Sequence, residues 1–205
     1  METKKILFAA SEAAPFIKSG GLGDVIGSLP KAVAGKNCEV AVVIPLHEGI
    51  PEELRSKLTY ITNFFVQLGW RSQYCGVFSY EEKGVTWYFI DNEYYFKRGG
   101  ALYGCYDDAE RFAFFSAAVL EMMPHINYFP NLVHCHDWQT ALIPIYYKLR
   151  YYAYPGYEGI KTVFTIHNIE YQGVFGRDIV ENVLGLSIEE FENGFLEYDG
   201  NVNLM

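Results

Sequence analysis

The feature that most constrains this chain is a buried strand that stops at a glycine-rich helix entrance. From Lys4 to Ala10 the sequence reads as a strand covered on both faces, and a polar loop begins at Ser11. Gly20, Gly21 and Gly23 then lead into a helix from Leu22 to Lys36, interrupted by Pro30, and Glu39 to Ile44 is the next strand. Strand, crossover helix and strand in this length form a right-handed βαβ unit and hence a parallel sheet. Ligands of such sheets gather at the carboxyl ends of the strands, where Lys18 falls.

Three glycines in four positions allow positive φ and let an anion approach main-chain N–H groups. A helix starting near Gly21 aims its free N–H groups at the same point, and Lys18 adds a full positive charge. This suits a phosphate or diphosphate; a plain helix entrance is the other reading. The run Gly21-Leu-Gly23-Asp-Val-Ile-Gly27 has one residue too many for the dinucleotide fingerprint, and the strand ending Val42-Val43-Ile44-Pro45 lacks an acidic ribose ligand. A nicotinamide cofactor is therefore disfavoured. Lys18 precedes the glycines, so the loop is not a nucleotide-triphosphate loop of the Walker type either.

The 205 residues, half of them hydrophobic, suffice for one substantial core. A formal charge of −9 argues against nucleic acid and anionic membrane as partners, so any phosphate site must be a local basic pocket. The segment starting at Met1 imitates a secretory signal, but its apolar run is short and Glu12 follows at once. No run reaches membrane-spanning length, and Cys38, Cys75, Cys105 and Cys135 lie far apart without a C-x-x-C pair. They read as buried thiols of a soluble, cytoplasmic protein.

Between Lys57 and Asn92 apolar and polar residues alternate, with a turn signal at Glu82-Lys83-Gly84, which predicts an antiparallel hairpin insertion. Glu93 to Cys105 reads as a loop. Asp107-Asp-Ala-Glu opens a helix with an apolar face through Phe112, Phe115, Val119 and Met123, ended by Pro124. Two further short strands end in polar tips: Asn131 to Trp138, followed by a helix from Gln139 to Tyr152, and Thr162 to Ile166, followed by His167 and Asn168. Asp137 could cap the helix that follows it. His134, Cys135 and His136 fit no zinc spacing, and His167 alone could be a core histidine.

Three ordered blocks change the weight of these readings. Lys18-Ser-Gly-Gly-Leu-Gly-Asp-Val25, His136-Asp-Trp138 and Thr165-Ile-His-Asn168 with Tyr171-Gln-Gly173 resemble signatures of bacterial glycogen synthases and plant starch synthases. The resemblance implies an α/β fold, a Rossmann-like parallel sheet with flanking helices that forms one half of a two-domain GT-B glycosyltransferase. It implies retaining transfer of glucose from ADP-glucose to the non-reducing end of an α-1,4-glucan. By the same resemblance Lys18 contacts the sugar nucleotide, Asp137 and His167 line the cleft near the transferred glucose, and Tyr103 in Leu-Tyr-Gly104 belongs to the same site. Asn168, Glu12, Asp24, Gly20 and Gly21 occupy matching positions. No cofactor and no metal is implied.

The family's proteins are more than twice as long as this chain. Residues 1–205 therefore resemble a truncated amino-terminal domain whose missing carboxyl-terminal domain holds most of the nucleotide, and alone they are expected to transfer little or no glucose. A non-catalytic glucan-binding module derived from this fold is the alternative. The cysteine reading is directly testable: all four should titrate as free thiols after denaturation without reductant, and a native disulfide would contradict the cytoplasmic assignment.

Overall fold

The computed structural model describes residues 3–205; Met1 and Glu2, the first residues of the signal-like segment, lie outside the described residues. Strand β1 (Lys4–Ala9) sends Leu7 and Ala9 to one face of a sheet and Phe8 to the other. Helix α1 (Gly21–Val33) crosses over, and β2 (Cys38–Pro45) pairs parallel with β1 from Lys4↔Cys38 to Ala9↔Val43. Val40, Val42 and Ile44 face α1 while Ala41 and Val43 face the opposite layer. Apolar residues at consecutive positions are what a strand covered on both sides requires.

The expected break of α1 at Pro30 does not occur. Leu22, Ile26 and Pro30 follow one another at four-residue steps and form the buried stripe, so the proline ring packs toward the sheet within a continuous helix. The helix ends at Val33, three residues before the expected Lys36.

A one-turn helix α2 (Glu52–Arg55) leads to the alternating segment, which forms β3 (Thr59–Leu68), β4 (Arg71–Glu82) and β5 (Val85–Asp91). The pairs β3–β4 and β4–β5 are antiparallel, as the alternation predicts. They are built into the main sheet rather than set apart from it, because β5 lies parallel against β2. The stretch read as loop begins with a short helix α3 (Glu93–Phe96), where the Asn92 side chain accepts the Tyr95 N–H at 3.1 Å.

Helix α4 (Asp108–His125) is buried almost all round, with Phe112, Phe114, Phe115, Val119, Met122 and Met123 enclosed. Each such side chain contributes roughly 1.5–3 kcal/mol of apolar burial. Pro124 sits within its last turn rather than before its end. Then come β6 (Leu132–His136), a 3-10 turn Trp138–Thr140, helix α5 (Leu142–Tyr146), a π-helical stretch Tyr147–Tyr151, and β7 (Lys161–Thr165). The helix expected from Gln139 to Tyr152 is thus present in three consecutive pieces.

Among the described residues seven strands form one sheet in the order β3-β4-β5-β2-β1-β6-β7. Strands β8 (Val174–Phe175), β9 (Glu197–Tyr198) and β10 (Asn201–Asn203) form a small antiparallel sheet beside it, which the sequence reading did not describe. The chain leaves β1 toward β2 and leaves β6 toward β7, on opposite sides of the β1–β6 pair. Helix α1 packs with one core layer and α5 with the other. The loops after β1 and β6 therefore diverge, and a crevice opens between them at the carboxyl ends.

Close packing of α1 against the loop before it fixes one wall of that crevice. A Cβ at Gly27 would lie 2.6 Å from the Ala14 carbonyl oxygen and 3.0 Å from the Ala14 Cβ. Gly27→Ala should accordingly lower the unfolding free energy by about 1–3 kcal/mol, measured by urea denaturation, although alanine is the better helix former. An unchanged midpoint would mean that α1 can back away from the loop at little cost.

Candidate active site

Glu12, three residues beyond the buried end of β1, is 1% exposed and gathers the loop around its carboxylate. It accepts the Ser19 N–H at 2.8 Å, the Ser19 hydroxyl at 2.6 Å, the Gly20 N–H at 3.2 Å and the Gly23 N–H at 3.0 Å. A carboxylate at the N-terminus of α1 is favoured by the helix dipole and by the free amides there. Of the amides read from sequence as a phosphate cradle, those of Gly20 and Gly23 are thus engaged by the protein's own acid. The glycines are not needed for positive φ either, since Gly20 is extended (φ −159°) and neither Gly21 nor Gly23 is left-handed.

What glycine supplies is room. At Gly23 a Cβ would lie 2.4 Å from the Lys18 Cβ, so the loop could not fold back over the helix. At Gly20 and Gly21 a Cβ would meet nothing within 4 Å, so the open surface there faces away from the rest of the fold. Lys18 stands beside it, half-exposed, its Nζ 2.8 Å from the Asp24 carboxylate. An exposed pair of this kind is worth at most about 1 kcal/mol, so the ammonium can turn to an incoming anion at small cost. Asp24, vague from sequence, is the partner that holds Lys18 meanwhile.

Tyr103 reaches the same cluster from a distant loop. Its hydroxyl lies 2.7 Å from Ser11 Oγ and donates to Glu12 at 3.2 Å, and burial and the Glu12 charge push its pKa up. Sequence reasoning missed what positions it. The fully buried Arg111 donates to the Tyr95 carbonyl at 2.7 Å, the Leu102 carbonyl at 3.2 Å and Asp108 at 2.6 Å, and Asp108 accepts the Gly104 N–H at 2.7 Å. His47, just past β2, was missed too. It is buried, with Nε2 2.9 Å from the Ser11 carbonyl oxygen.

Across the crevice, Asp137 follows the last residue of β6. Its backbone is at φ 57° and ψ 177°, a region occupied almost only by glycine. The expected helix cap is not made: the carboxylate instead accepts the His167 N–H at 2.7 Å and the Asn168 N–H at 3.4 Å, tying the tip of β6 to the segment after β7. Thr140 braces the strained tip, its hydroxyl taking the His136 N–H at 2.6 Å. Strain of roughly 1–3 kcal/mol held in place by such bracing is typical of working sites. Trp138 is buried edge-on against Phe112, and Gly173, at φ 66°, leaves room for its ring.

His134 and His136 lie on one face of β6 with ring centroids 4.1 Å apart, and Cys135 points into the opposite core. Among the described residues no cluster of histidine, cysteine and carboxylate side chains is arranged to hold a metal ion. His136 Nδ1 instead lies 2.8 Å from Nε2 of the exposed His167. Burial, with His134 and His167 nearby, holds His136 down to about pKa 3; burial, countered in part by the Ser11 bond, holds His47 down to about 4.

Known proteins match this chain over almost its whole length. The description "Starch synthase catalytic domain" belongs to the family whose profile matches residues 5–205. Glycogen synthase of Desulforamulus reducens is 52% identical over 201 residues, 98% of this chain and 42% of that protein. Glycogen synthase of Clostridium botulinum (strain Alaska E43) is 53% identical over 202 residues with the same coverage. The solved catalytic domain of Starch Synthase IV from Arabidopsis thaliana, bound to ADP and acarbose, superposes with a TM-score of 0.87 at 28% identity, covering 100% of this chain and 42% of that one. The chain thus spans about 42% of the length of the relatives it matches.

His47 and His136, held lowest by burial, set a pH dependence. Both remain neutral in the fold at pH values where unfolded histidine protonates, so below about pH 6.5 the unfolded state binds more protons. Stability from this source is complete above about 6.5 and falls as pH drops toward 4, by about 1.4 kcal/mol per pH unit for His47. His47→Gln keeps an N–H for the Ser11 carbonyl and should flatten the slope of urea-unfolding free energy between pH 6.5 and 5. An identical slope in the variant would mean that His47 protonates freely in the fold.

Proposed function

The chain belongs to the starch synthase catalytic domain family, and on that premise we propose that it forms the amino-terminal, acceptor-side part of a retaining glucosyltransferase. The donor is ADP-glucose, and the acceptor is the non-reducing end of an α-1,4-glucan. Relatives more than twice as long support a second domain that supplies the other wall of the cleft and most of the nucleotide contacts. Among the described residues no helix is long and apolar enough to cross a membrane, and the four free thiols suit a cytoplasmic enzyme.

The observation that carries the reading is that two preorganised clusters follow the carboxyl ends of the adjacent parallel strands β1 and β6. On one side Glu12 holds the loop that presents Lys18, and Gly20 and Gly21 leave open surface beside it. On the other a strained Asp137 is locked to the backbone of His167 and Asn168. In this reading Lys18 leaves Asp24 for the diphosphate and stabilises the charge that develops as the glycosidic bond to phosphate breaks. Asp137, His167 and Asn168 orient the glucose, and Tyr103 closes the site next to Glu12. Fixing donor and acceptor in a cleft closed to water favours transfer to sugar over hydrolysis.

Lys18 gives the sharpest test. In the full-length enzyme, Lys18→Ala should leave stability within roughly 0.5 kcal/mol, because the side chain is half-exposed and its ion pair with Asp24 is weak. Transfer from ADP-glucose should fall by about 10² to 10³, and Lys18→Arg should recover only part of it, since a planar guanidinium does not replace a point charge. Turnover and apparent donor affinity both within a factor of about two for the alanine variant would place the diphosphate elsewhere.

A further inference from the structure

Histidine 136 is fully buried, and the two nitrogens of its ring are in unequal surroundings. Nδ1 lies 2.8 Å from His167 Nε2, and the two rings are stacked with centroids 5.1 Å apart and planes 20° from parallel. Among the described residues, Nε2 is buried without a hydrogen-bond partner. The ring is enclosed by Phe8, with centroids 6.0 Å away, and by His134, whose own Nε2 lies 2.7 Å from the Thr165 hydroxyl. No carboxylate hydrogen-bonds to any of the three imidazoles among the described residues.

A neutral imidazole carries one hydrogen, so the pair has two possible arrangements. With the hydrogen of His136 on Nε2, an N–H is left buried and unpaired, and Nδ1 accepts from His167. With the hydrogen on Nδ1, only a lone pair is left unpaired, and Nδ1–H donates to His167 Nε2. Orphaned buried N–H groups are rarer than underused acceptors because the desolvated donor loses more. The second arrangement wins. His167 Nε2 then accepts, which puts the hydrogen of neutral His167 on its Nδ1, at the exposed side of the pair.

We infer that His136 is a positioning residue that fixes the tautomer of His167, so that His167 offers the crevice a hydrogen-bond donor, not a basic nitrogen. Its ligand is an oxygen acceptor of the bound substrate. Asp137 completes the arrangement by holding the His167 backbone N–H at 2.7 Å, so ring and backbone are oriented by consecutive residues of one strand tip. The inference deepens the glucosyltransferase reading and rests on it for the identity of the substrate, but the tautomer itself does not.

The test begins with long-range proton–nitrogen correlation spectra of the unliganded chain, labelled with nitrogen-15 histidine, at pH 7. His136 and His167 should both appear as Nδ1–H tautomers, the reverse of the form free histidine prefers. Either ring in the Nε2–H form, or a cationic His136, overturns the inference. In the full-length enzyme, His136→Leu should move His167 toward the Nε2–H form and lower kcat by about tenfold. His136→Asn, whose amide N–H can stand near the Nδ1 position, should restore the tautomer and lower kcat measurably less. Equal losses in the two variants with an unmoved His167 tautomer would make His136 mere packing. If His136→Leu does not fold, the spectra of the unaltered chain decide alone. Failure of the full-length enzyme to use ADP-glucose would count against the glucosyltransferase reading and leave the spectra unaffected.

Discussion

The carboxylate of Glu12 is the contact on which one side of the site depends. It sits at the N-terminus of α1, where amides without intrahelical partners would otherwise have to be hydrated or bound by a ligand. By accepting from Ser19, Gly20, Gly23 and Tyr103 it closes the loop after β1 onto the helix and draws in a residue from 91 positions away. The loop is therefore rigid before any substrate arrives. Lys18, paired with the exposed Asp24, remains the adjustable part.

The opposite side is organised by strain rather than by charge. Asp137 adopts a backbone conformation that costs a non-glycine residue roughly 1–3 kcal/mol, and its carboxylate repays part of this through the His167 and Asn168 amides. The two tips at the ends of β6 and β7 thereby behave as one unit. Thr140 and the buried Trp138 hold that unit from below, the latter against Phe112 of the central helix α4. A braced tip thus follows β6, while the loop after the adjacent β1 carries the half-exposed cation Lys18 in a weak surface pair.

Less visible residues support the Glu12 side. Arg111, without exposed surface, makes no direct contribution to the crevice, yet it fixes the carbonyls of Tyr95 and Leu102 that flank the loop delivering Tyr103. His47 holds the Ser11 carbonyl from beneath. A buried cation with unequal partners and a neutral buried imidazole are costly unless they fix something, and here they fix the backbone next to Glu12 and Tyr103.

The sequence by itself determined the layer order of the fold around β1, α1 and β2, because two-sided apolar strands and a glycine helix entrance leave a parallel sheet as the way to cover both faces. It also placed Asp137, His167 and Asn168 at strand tips, since they follow apolar runs closely, and Lys18 in the loop between the first strand and its glycine helix entrance. Alternation between Lys57 and Asn92 disclosed antiparallel pairing, but not that β5 would join β2, which depends on contacts distant in sequence. The three-dimensional fold alone decided that Glu12 fills the amide nest, that Asp137 ties down His167 instead of capping a helix, and that Pro30 stays within α1. Each depends on where a side chain meets a partner up to 92 residues away, and local propensity carries no record of such meetings. The tautomer of His167 belongs to the same class, because a lone proton is placed by whichever neighbouring nitrogen lacks another partner.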